Sequence, residues 1–434
     1  MTKRRSPGDG GLYHDEQRGL WFATIELPRL DGKRRRKKVS AKTRSECIRK
    51  RREMQAAIDA GIDVMSPKTS VSQWMRKWVE EIKRPKVRPK TYDYYVGGVN
   101  HAEPIIGHIR LDQLTLNDVR VMHARLQETK STKAALQAHQ SLQQALKSAV
   151  AEGLVTRNVA ALEGNPKHTP QIRMNLTADT ARHVIRSAID RGDPMASRWA
   201  AAFLTGARQG ELLGLTWDRV DLQAGVIEIA WQLQELDQVH GCGEQVDEMP
   251  DTVRMDRIPA GPPFWPCGRQ KAAWCSSPRW DVPPGFEMVE CQGSLAWTRP
   301  KSKSGSRMVP LIPPMLALLR VHFEQRRHSP HNLVWCMADG SPINPSNDRR
   351  AWRDALMAAG VARRGDDGKL AGWSPLHAAR HTTATLLMAA GVPEKVRMEI
   401  MGQSSVQAQQ GYVHADLTLT RAALENLGGL LATS

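Results

Sequence analysis

The run His377-Ala-Ala-Arg380-His381, followed by Gly402-Gln-Ser-Ser-Val-Gln-Ala-Gln-Gln-Gly-Tyr412, is the stretch that decides the class of this chain. The first run brings two imidazoles and a guanidinium together, and the second ends on a tyrosine. An arginine forks onto two oxygens of a phosphate, and a phenol becomes a nucleophile when a base or nearby cations help to remove its proton. The two runs therefore predict covalent chemistry on a phosphodiester.

Two motifs upstream supply further cations. Arg208 stands in Thr205-Gly-Ala-Arg208-Gln-Gly-Glu-Leu-Leu-Gly-Leu, and Lys303 stands in Pro300-Lys-Ser-Lys303-Ser-Gly-Ser-Arg-Met-Val-Pro310. A phosphodiester gains negative charge as it is attacked, so paired arginines stabilise the transition state more than the ground state. A tyrosine that attacks phosphorus keeps the energy of the broken bond in a covalent phosphoenzyme, so that rejoining needs no ATP.

In this order, over residues 176–415, the four motifs resemble those of the tyrosine recombinases and, within them, the phage integrases of the lambda type. The resemblance implies a multidomain chain that is mainly α-helical with small β elements (α+β). It also implies a site-specific DNA recombinase that cleaves and rejoins DNA through a 3′-phosphotyrosyl intermediate, to integrate or excise a phage or another mobile element. No cofactor is expected for this reaction.

The resemblance also assigns roles to the site residues. Arg208 and Arg380 are expected to clamp the scissile phosphate in a bidentate geometry that lysine cannot reproduce. Tyr412 is the expected nucleophile, and His377 is expected to accept a proton or donate a hydrogen bond to the phosphate. His381 is expected to support the helix that carries His377.

Two positions leave alternatives open. Lys303 matches the lysine that protonates the departing 5′ oxygen in the family, but Lys301 lies on the same predicted strand face and is its rival. Gln403 stands where the family usually has histidine or tryptophan. A glutamine amide donates a hydrogen bond to a phosphate oxygen but cannot carry a proton in transit.

The charge of the chain favours a polyanionic partner. The net charge is +17 with a pI of about 9.9, and the first 68 residues carry 18 Lys or Arg against 9 Asp or Glu. A local positive excess attracts nucleic acid or an acidic membrane surface. No stretch approaches the roughly 20 apolar residues of a membrane span, and the first residues lack the apolar core of a signal peptide, so we expect a cytoplasmic protein.

Residues 1–66 are predicted to form a basic DNA-binding domain. Within residues 11–60, alternating apolar residues, a turn at Asp31-Gly32 and a Thr43-x-x-Glu46 capping box indicate a small sheet followed by a helix. By resemblance this is the arm-type module of lambda-like integrases, whose sheet lies against DNA. The candidate DNA-binding residues are Lys33, Arg34, Arg35, Arg36, Lys37 and Lys38.

Residues 70–160 are predicted to form a helical domain, similar to the core-binding domain of the family. Apolar residues from Val71 to Ile82 recur at helical spacing, and Trp74 and Trp78 are interpreted as core residues. A basic cluster beside them is predicted to contact phosphates without reading sequence, and its candidates are Lys86, Arg88 and Lys90.

Residues 176–434 are the predicted catalytic domain, mostly helical, with a hairpin over residues 295–310 that carries Lys303. An insertion at about 233–294 is longer than the ordinary connection of the family. Its cysteines and histidine suit a structural zinc ion, but it has no Cys-x-x-Cys motif, and free thiols in a proline-rich loop are the alternative. The candidate ligands are His240, Cys242, Cys267, Cys275 and Cys291.

The expected partners follow from the resemblance. They are double-stranded DNA at core and arm attachment sites, a homotetramer assembled on that DNA, and accessory host bending and excision factors. Two alternatives remain open from the sequence: a DNA-binding architectural or regulatory protein with an impaired site, and a relaxation activity like that of type IB topoisomerases.

Overall fold

The computed structural model of the chain describes residues 11–30, 33–59, 69–168, 176–247, 263–300, 305–366, 368, 370–402, 421 and 424–425. The chain divides into two compact units, Met1–Pro170 and Gln171–Ser434. Among the residues just given, helices dominate both units, and the strands form small sheets of two or three strands. The prediction of a mainly α chain with small β elements is confirmed. None of the described helices is long and apolar enough to span a bilayer.

The first unit begins with a three-stranded antiparallel sheet. Strands β1 (Tyr13–Asp15), β2 (Leu20–Leu30) and β3 (Lys33–Ala41) pair in that order, and helix α1 (Arg44–Asp59) follows. The Thr43 hydroxyl accepts a hydrogen bond from the Glu46 amide at 3.3 Å, which starts α1 as its cap. The structure therefore has the sheet and helix that the sequence predicts. The small core between them consists of Ala23, Ile25, Val39, Ala41 and Cys47.

The basic run of β3 is divided between the two faces of this sheet. Arg36 and Lys38 are exposed, whereas Lys37 lies opposite Ile25, which is buried. Alternation of this kind follows from the two-residue repeat of a strand. The side chains of Lys33, Arg34 and Arg35 lie outside the described residues.

Helices form the rest of the first unit. They are α2 (Val71–Lys77), which continues into a π-helical turn at Trp78–Lys83, then α3 (Pro89–Ile106), α4 (Leu116–Thr129), α5 (Thr132–Ala151) and α6 (Val159–Glu163). Trp74 and Trp78 are buried, and their indole N–H groups donate to the Ala145 carbonyl and the Ser148 hydroxyl at 2.9 and 3.2 Å. Their interpretation as core residues is confirmed.

The second unit packs seven helices around one hydrophobic core in the part of the chain that is described. They are α7 (Ala178–Asp190), α8 (Ala196–Leu204), α9 (Gln209–Leu213), α10 (Pro313–Glu324), α11 (Pro345–Ala358), α12 (His377–Ala389) and α13 (Glu394–Met401). Trp199 and Trp352 pack against each other at its centre, with ring centroids 5.4 Å apart. Beside them Arg198 and Asp348, both fully buried, form an ion pair at 3.0 Å.

The prediction of a hairpin over residues 295–310 is wrong. Strand β10 (Leu295–Thr298) pairs with β6 (Gln232–Glu235) and β9 (Met288–Gln292), whereas β11 (Arg307–Pro310) pairs with β5 (Val226–Ile229) in another sheet, which β4 (Val220–Asp221) completes. Strands β10 and β11 thus lie in sequence along the partner segment β5–β6, and residues 299–306 connect them in the chain.

Pro300 and Gly305 give the physical reason why β10 and β11 do not pair with each other. Pro300 has no N–H for a strand ladder, and a Cβ on Gly305 would lie 2.3 Å from the Pro300 Cβ, so only glycine allows this approach. Gly305 therefore belongs to the connection between two sheets, and not to the tip of a hairpin.

Within the insertion, two further short strands, β7 (Gln238–His240) and β8 (Pro278–Trp280), pair with each other. Two further short strands, β12 (Arg363–Arg364) and β13 (Leu370–Ala371), pair before α12.

Candidate active site

Arg208 stands at the turn between α8 and α9. The Thr205 hydroxyl accepts a hydrogen bond from the Ala207 amide at 3.2 Å, and Gly206 takes a φ of +60°. A Cβ on Gly206 would lie 2.5 Å from the Met401 sulfur, so glycine is required where this turn meets α13. The turn leaves Arg208 at the start of α9 with its side chain 35% exposed.

Arg380 lies on the first turn of α12 and is buried. Its guanidinium donates to the carbonyl oxygens of Gly206 and Met401. Burial, followed by the positive charges of Arg208 and Arg307, lowers the pKa of Arg380 to about 9. The side chain therefore remains a cation at neutral pH.

Three arginines meet at the end of α13. Arg307 Nε donates to the Ile400 carbonyl at 2.9 Å, Arg380 donates to the Met401 carbonyl, and Arg208 Nη2 donates to the Gly402 carbonyl at 2.8 Å. Carbonyls in the last turn of a helix have no partner within it, and these donors satisfy three in a row. Gly402, with a φ of 56°, ends the helix in the left-handed conformation.

Glu211 couples two of these arginines. Its carboxylate accepts from Arg208 Nη1 at 2.6 Å and from Arg307 Nη2 at 3.0 Å, and from the Arg208 amide at 2.8 Å. Although burial favours the neutral acid, Arg307 and Arg208 hold the pKa of Glu211 below its usual range. A single buried carboxylate therefore orients both guanidinium groups.

Glu211 and Arg307 are not among the predicted site residues. Both stand inside motifs quoted above, Glu211 three residues after Arg208 and Arg307 four residues after Lys303. A glutamate three residues after the residue that caps a helix often bonds back to that residue. This spacing could have indicated a contact between Glu211 and Arg208. No local pattern indicates that Arg307 is buried.

His377 opens α12 at the surface, beside the arginines. Desolvation by the surrounding protein is the main cause that lowers the pKa of His377 below its usual value. The charges of His381, Arg380 and Arg208 lower it further. The imidazole is therefore neutral at pH 7. The ring of His381 is exposed and meets that of His377 edge-on, with centroids 4.8 Å apart.

Four predicted positions, Lys301, Lys303, Gln403 and Tyr412, lie outside the described residues. Their neighbours in the chain are described. Gly305 follows the lysine segment, and its carbonyl accepts from Arg307 Nη1 at 3.1 Å, while Gly402 directly precedes Gln403.

The predicted phosphate contacts of the first unit are partly engaged with the protein itself. Lys86 and Lys90 are exposed, and Lys90 forms an ion pair with Asp93 at 3.1 Å. Arg88 is half-buried at the start of α3, and Arg36 pairs with Glu26 at 3.3 Å. Exposed pairs of this kind are weak, so a phosphate can displace the carboxylate.

The candidate metal ligands divide into a cluster and an outlier. One nitrogen of His240 and the sulfurs of Cys242, Cys267 and Cys275 all lie within 4.8 Å of one another. Cys291 is not part of this group, because it packs against the main core of the unit. Burial raises the pKa of the Cys291 thiol to about 12, so it is a neutral packing residue.

Arg208, a third exposed, and Arg380, buried, thus lie beside the neutral imidazole of His377, and guanidinium groups in such a place can bind a phosphodiester. The comparisons with known proteins agree. The family model "Phage integrase family" matches residues 286–418, and "Phage integrase central domain" matches residues 71–165. An integrase of Saccharopolyspora erythraea is 27% identical over 433 residues, which is 95% of each chain.

Two solved structures share the fold. The Tn1549 transposon integrase in complex with a circular intermediate DNA matches with a TM-score of 0.56 and 19% identity, covering 83% of this chain and 99% of its own. A lambda integrase tetramer bound to a Holliday junction matches with a TM-score of 0.50 and 15% identity, covering 95% of this chain and 100% of its own. The chain belongs to the phage integrase family of tyrosine recombinases. It is a site-specific DNA recombinase that cleaves and transfers DNA strands.

Proposed function

We propose that this recombinase is an integrase that inserts and excises a phage or another mobile element, with Tyr412 as its nucleophile. One observation carries the proposal: Arg307, Arg380 and Arg208 bond the carbonyls of residues 400, 401 and 402 in turn. This contact fixes the start of the segment that leads through Gln403 to Tyr412, at the place where the two phosphate-clamping arginines converge.

In the proposed cleavage, Arg208 and Arg380 bind the non-bridging oxygens of the scissile phosphate. A guanidinium has five N–H donors, and the contacts given above use two of them in each of these arginines. We infer that donors outside these contacts bind the oxygens that gain charge as the Tyr412 oxygen attacks. The phenolic oxygen forms a bond to phosphorus, and the bond from phosphorus to the 5′ oxygen breaks.

Two protons move in this step. His377, neutral at pH 7 because its pKa is lowered, accepts a hydrogen bond or proton on the side of the attacking group. Lys303, which lies between β10 and β11 in the sequence, donates a proton to the departing 5′ oxygen, and Lys301 is its rival. Gln403 donates a hydrogen bond to the phosphate. The reverse sequence with the 5′ hydroxyl of another strand rejoins the DNA.

The proposed reaction requires no cofactor, because the covalent phosphotyrosine conserves the energy of the broken bond. None of the residues assigned to the phosphate belongs to the cluster of His240, Cys242, Cys267 and Cys275. A metal ion at that cluster would have no part in strand cleavage.

We infer that the substrate is double-stranded DNA with core and arm attachment sites, bound by a homotetramer. Two structural neighbours, one bound to a circular intermediate DNA and the other a tetramer on a Holliday junction, support this for a chain of the same fold. The exposed Arg36 and Lys38 on the sheet of the first unit support a separate DNA contact. The proposal places the protein on DNA in the cytoplasm of its host, with a bending factor and an excision factor as candidate partners.

Strand exchange tests the proposal. Two duplexes that carry the attachment sites next to the gene, each with a different fluorescent label, are incubated with the full-length protein. We expect duplexes that carry both labels, through a covalent intermediate. Relaxation of supercoiled DNA without label exchange would indicate a topoisomerase, and binding without an adduct would indicate an architectural protein. Either result overturns the proposed function.

A further inference from the structure

The insertion brings one imidazole and three thiols together at a point where neither the core nor the recombination site needs them. His240 Nδ1 lies 3.4 Å from the Cys267 sulfur and 3.8 Å from the Cys242 sulfur, and all four donor atoms, including that of Cys275, lie within 4.8 Å of one another. A tetrahedral zinc ion with Zn–S bonds of about 2.3 Å holds its sulfurs about 3.8 Å apart. We propose that His240, Cys242, Cys267 and Cys275 bind one structural zinc ion.

The surroundings of His240 fix which nitrogen faces the sulfurs. Its Nε2 lies 3.4 Å from the Gln270 carbonyl oxygen, to which it donates. Its ring stacks on Trp265, with centroids 4.2 Å apart and planes 8° apart. Histidines that bind metals usually donate their second N–H to a carbonyl or a carboxylate, which fixes the tautomer and the ring. Nδ1 is therefore the ligand atom.

The loops that carry the cysteines are tight turns. Gly268 follows Cys267 with a φ of 65°, and its amide donates to the Trp265 carbonyl at 2.8 Å. The Cys275 sulfur accepts from the Ser277 amide at 3.4 Å, the kind of contact that stabilises a thiolate. At the other side of the cluster, Gly241 approaches the Ser277 carbonyl so closely that a Cβ would lie 2.4 Å from its oxygen.

The insertion needs such a crosslink because its described residues form almost no core. Between Leu236 and Leu295, Phe264 and Cys275 are the only buried hydrophobic residues of the described part of the chain. The strands β7 and β8 form a two-stranded sheet, which is marginal alone in water. A bound metal ion contributes its binding free energy to folding in this situation.

The donor set selects the metal. Three soft thiolates and one imidazole in a tetrahedral arrangement favour zinc over magnesium or calcium, which prefer oxygen ligands. The cluster has four protein ligands, which leaves no open position for a substrate or a water molecule. This is the property of a structural site and not of a catalytic one.

Metal analysis of the full-length protein tests the proposal. The wild-type protein, purified without chelator and dialysed, is expected to contain about one zinc per chain by mass spectrometry of the metal. Cys267→Ser is expected to lose most of it. Cys291→Ser is the matched control, because this thiol belongs to the same insertion but not to the cluster, and it should keep its zinc. If both variants lost their zinc to the same extent, the assignment of the ligands would be contradicted.

A second measurement covers the case in which Cys267→Ser does not fold. Exchange of the wild-type metal for Co²⁺ should give the intense visible absorption of tetrahedral cobalt and the near-ultraviolet charge-transfer band of cobalt–thiolate bonds. Absence of both bands, together with wild-type protein that stays free of zinc after incubation with zinc sulfate, would overturn the proposal. A disulfide between two of the three cluster cysteines, found in a non-reduced peptide map of the fresh protein, would overturn it as well. None of these readouts depends on recombination activity.

Discussion

Arg208 and Arg380 differ in how far each side chain is exposed to solvent. Arg208 is a third exposed, whereas Arg380 is buried and holds together the turn at Gly206 and the end of α13. A lysine has one point charge and no planar fork, so it cannot bond two carbonyls and a phosphate together. The two arginines therefore have the same expected role in catalysis but different roles in the fold.

We predict that Arg208→Lys and Arg380→Lys each lower the rate of strand cleavage by at least about 10²-fold, since the loss of one preorganised donor typically costs that much. Single-turnover cleavage of a nicked core substrate measures the rate. Arg380→Lys should also lower the melting temperature, and Arg208→Lys should do so less, because more of its side chain is in solvent. A loss below about threefold in both variants would contradict their role as phosphate clamps.

The sequence indicated those site residues whose side-chain chemistry the reaction requires, namely Arg208, His377 and Arg380. The fold brings these three together. Glu211 and Arg307 were not, because their importance comes from a buried ion network between segments almost 100 residues apart in the chain. Cys291 was wrongly grouped with the metal candidates, because spacing alone does not show that its thiol faces the core.

At the scale of elements, Arg307 links strand β11 to helix α13. Its bonds to Glu211, Gly305 and Ile400 connect Gly305, which follows Lys303 by two residues, with the end of α13, from which the chain leads to Tyr412. It does not need to touch DNA to affect cleavage. We regard it as a positioning residue.

We predict that Arg307→Met lowers the cleavage rate about tenfold, equivalent to about 1.4 kcal/mol, while DNA affinity changes little. Removing it frees the Glu211 carboxylate to pull Arg208 from its place. Arg307→Lys should recover part of the rate. Arg219→Met is the control, since this arginine is also ion-paired next to the same sheet, with Glu228 at 2.6 Å. Equal effects of Arg307→Met and Arg219→Met on the rate would reduce Arg307 to a stabilising residue.

A buried histidine pair makes the contact between α4 and α5 sensitive to acid. His123 Nε2 and His139 Nδ1 are 2.9 Å apart, and burial, with a smaller effect of His123, lowers the pKa of His139 to about 4. The folded chain therefore binds fewer protons than the unfolded chain between about pH 6.5 and pH 4, and stability falls as the pH falls through that window.

We predict that lowering the pH from 7 to 5 reduces the free energy of unfolding of the helical part of the first unit by on the order of 2 kcal/mol. The cause is the lowered pKa of His139. Urea unfolding of the full-length protein, followed by tryptophan fluorescence at both pH values, measures the loss. His139→Gln should be less sensitive to this change of pH than the wild type. An identical pH dependence in both proteins would show that His139 titrates normally.

The helices were more predictable than the sheets. The Thr43-x-x-Glu46 capping box indicated α1, and the apolar spacing from Val71 to Ile82 indicated α2 and the π-helical turn after it, because those signals are local. The pairing of β10 and β11 with β6 and β5 was not foretold, because it depends on a partner segment about 70 residues away. A turn signal cannot distinguish the tip of a hairpin from a loop between two sheets.

At the scale of the whole molecule, the positive charge is concentrated at the amino-terminal end. Of the net +17, about half comes from the first 68 residues, where 18 basic residues stand against 9 acidic ones. The described sheet there presents Arg36 and Lys38 on its exposed face. The division of the chain into domains 1–66, 70–160 and 176–434 remains a prediction beside the two compact units.

We predict that deletion of residues 1–66 leaves cleavage of core sites intact but lowers integration, because a second class of DNA site is no longer bound. The salt dependence of binding to arm-site DNA should also weaken, since fewer phosphates are neutralised. Gel-shift titrations with core and arm duplexes, together with an integration assay, measure both effects. Equal integration by the truncated and full-length proteins would reduce this region to a nonspecific tail.

The most direct test of the account is the covalent adduct itself. Full-length wild-type protein and Tyr412→Phe are each mixed with a nicked suicide substrate and separated on a denaturing gel. The wild type is expected to form a protein–DNA adduct, and Tyr412→Phe is expected to bind the same DNA with nearly unchanged affinity and form none, because only the phenolic oxygen is missing. An undiminished adduct in Tyr412→Phe would contradict the account, since another residue would then be the nucleophile.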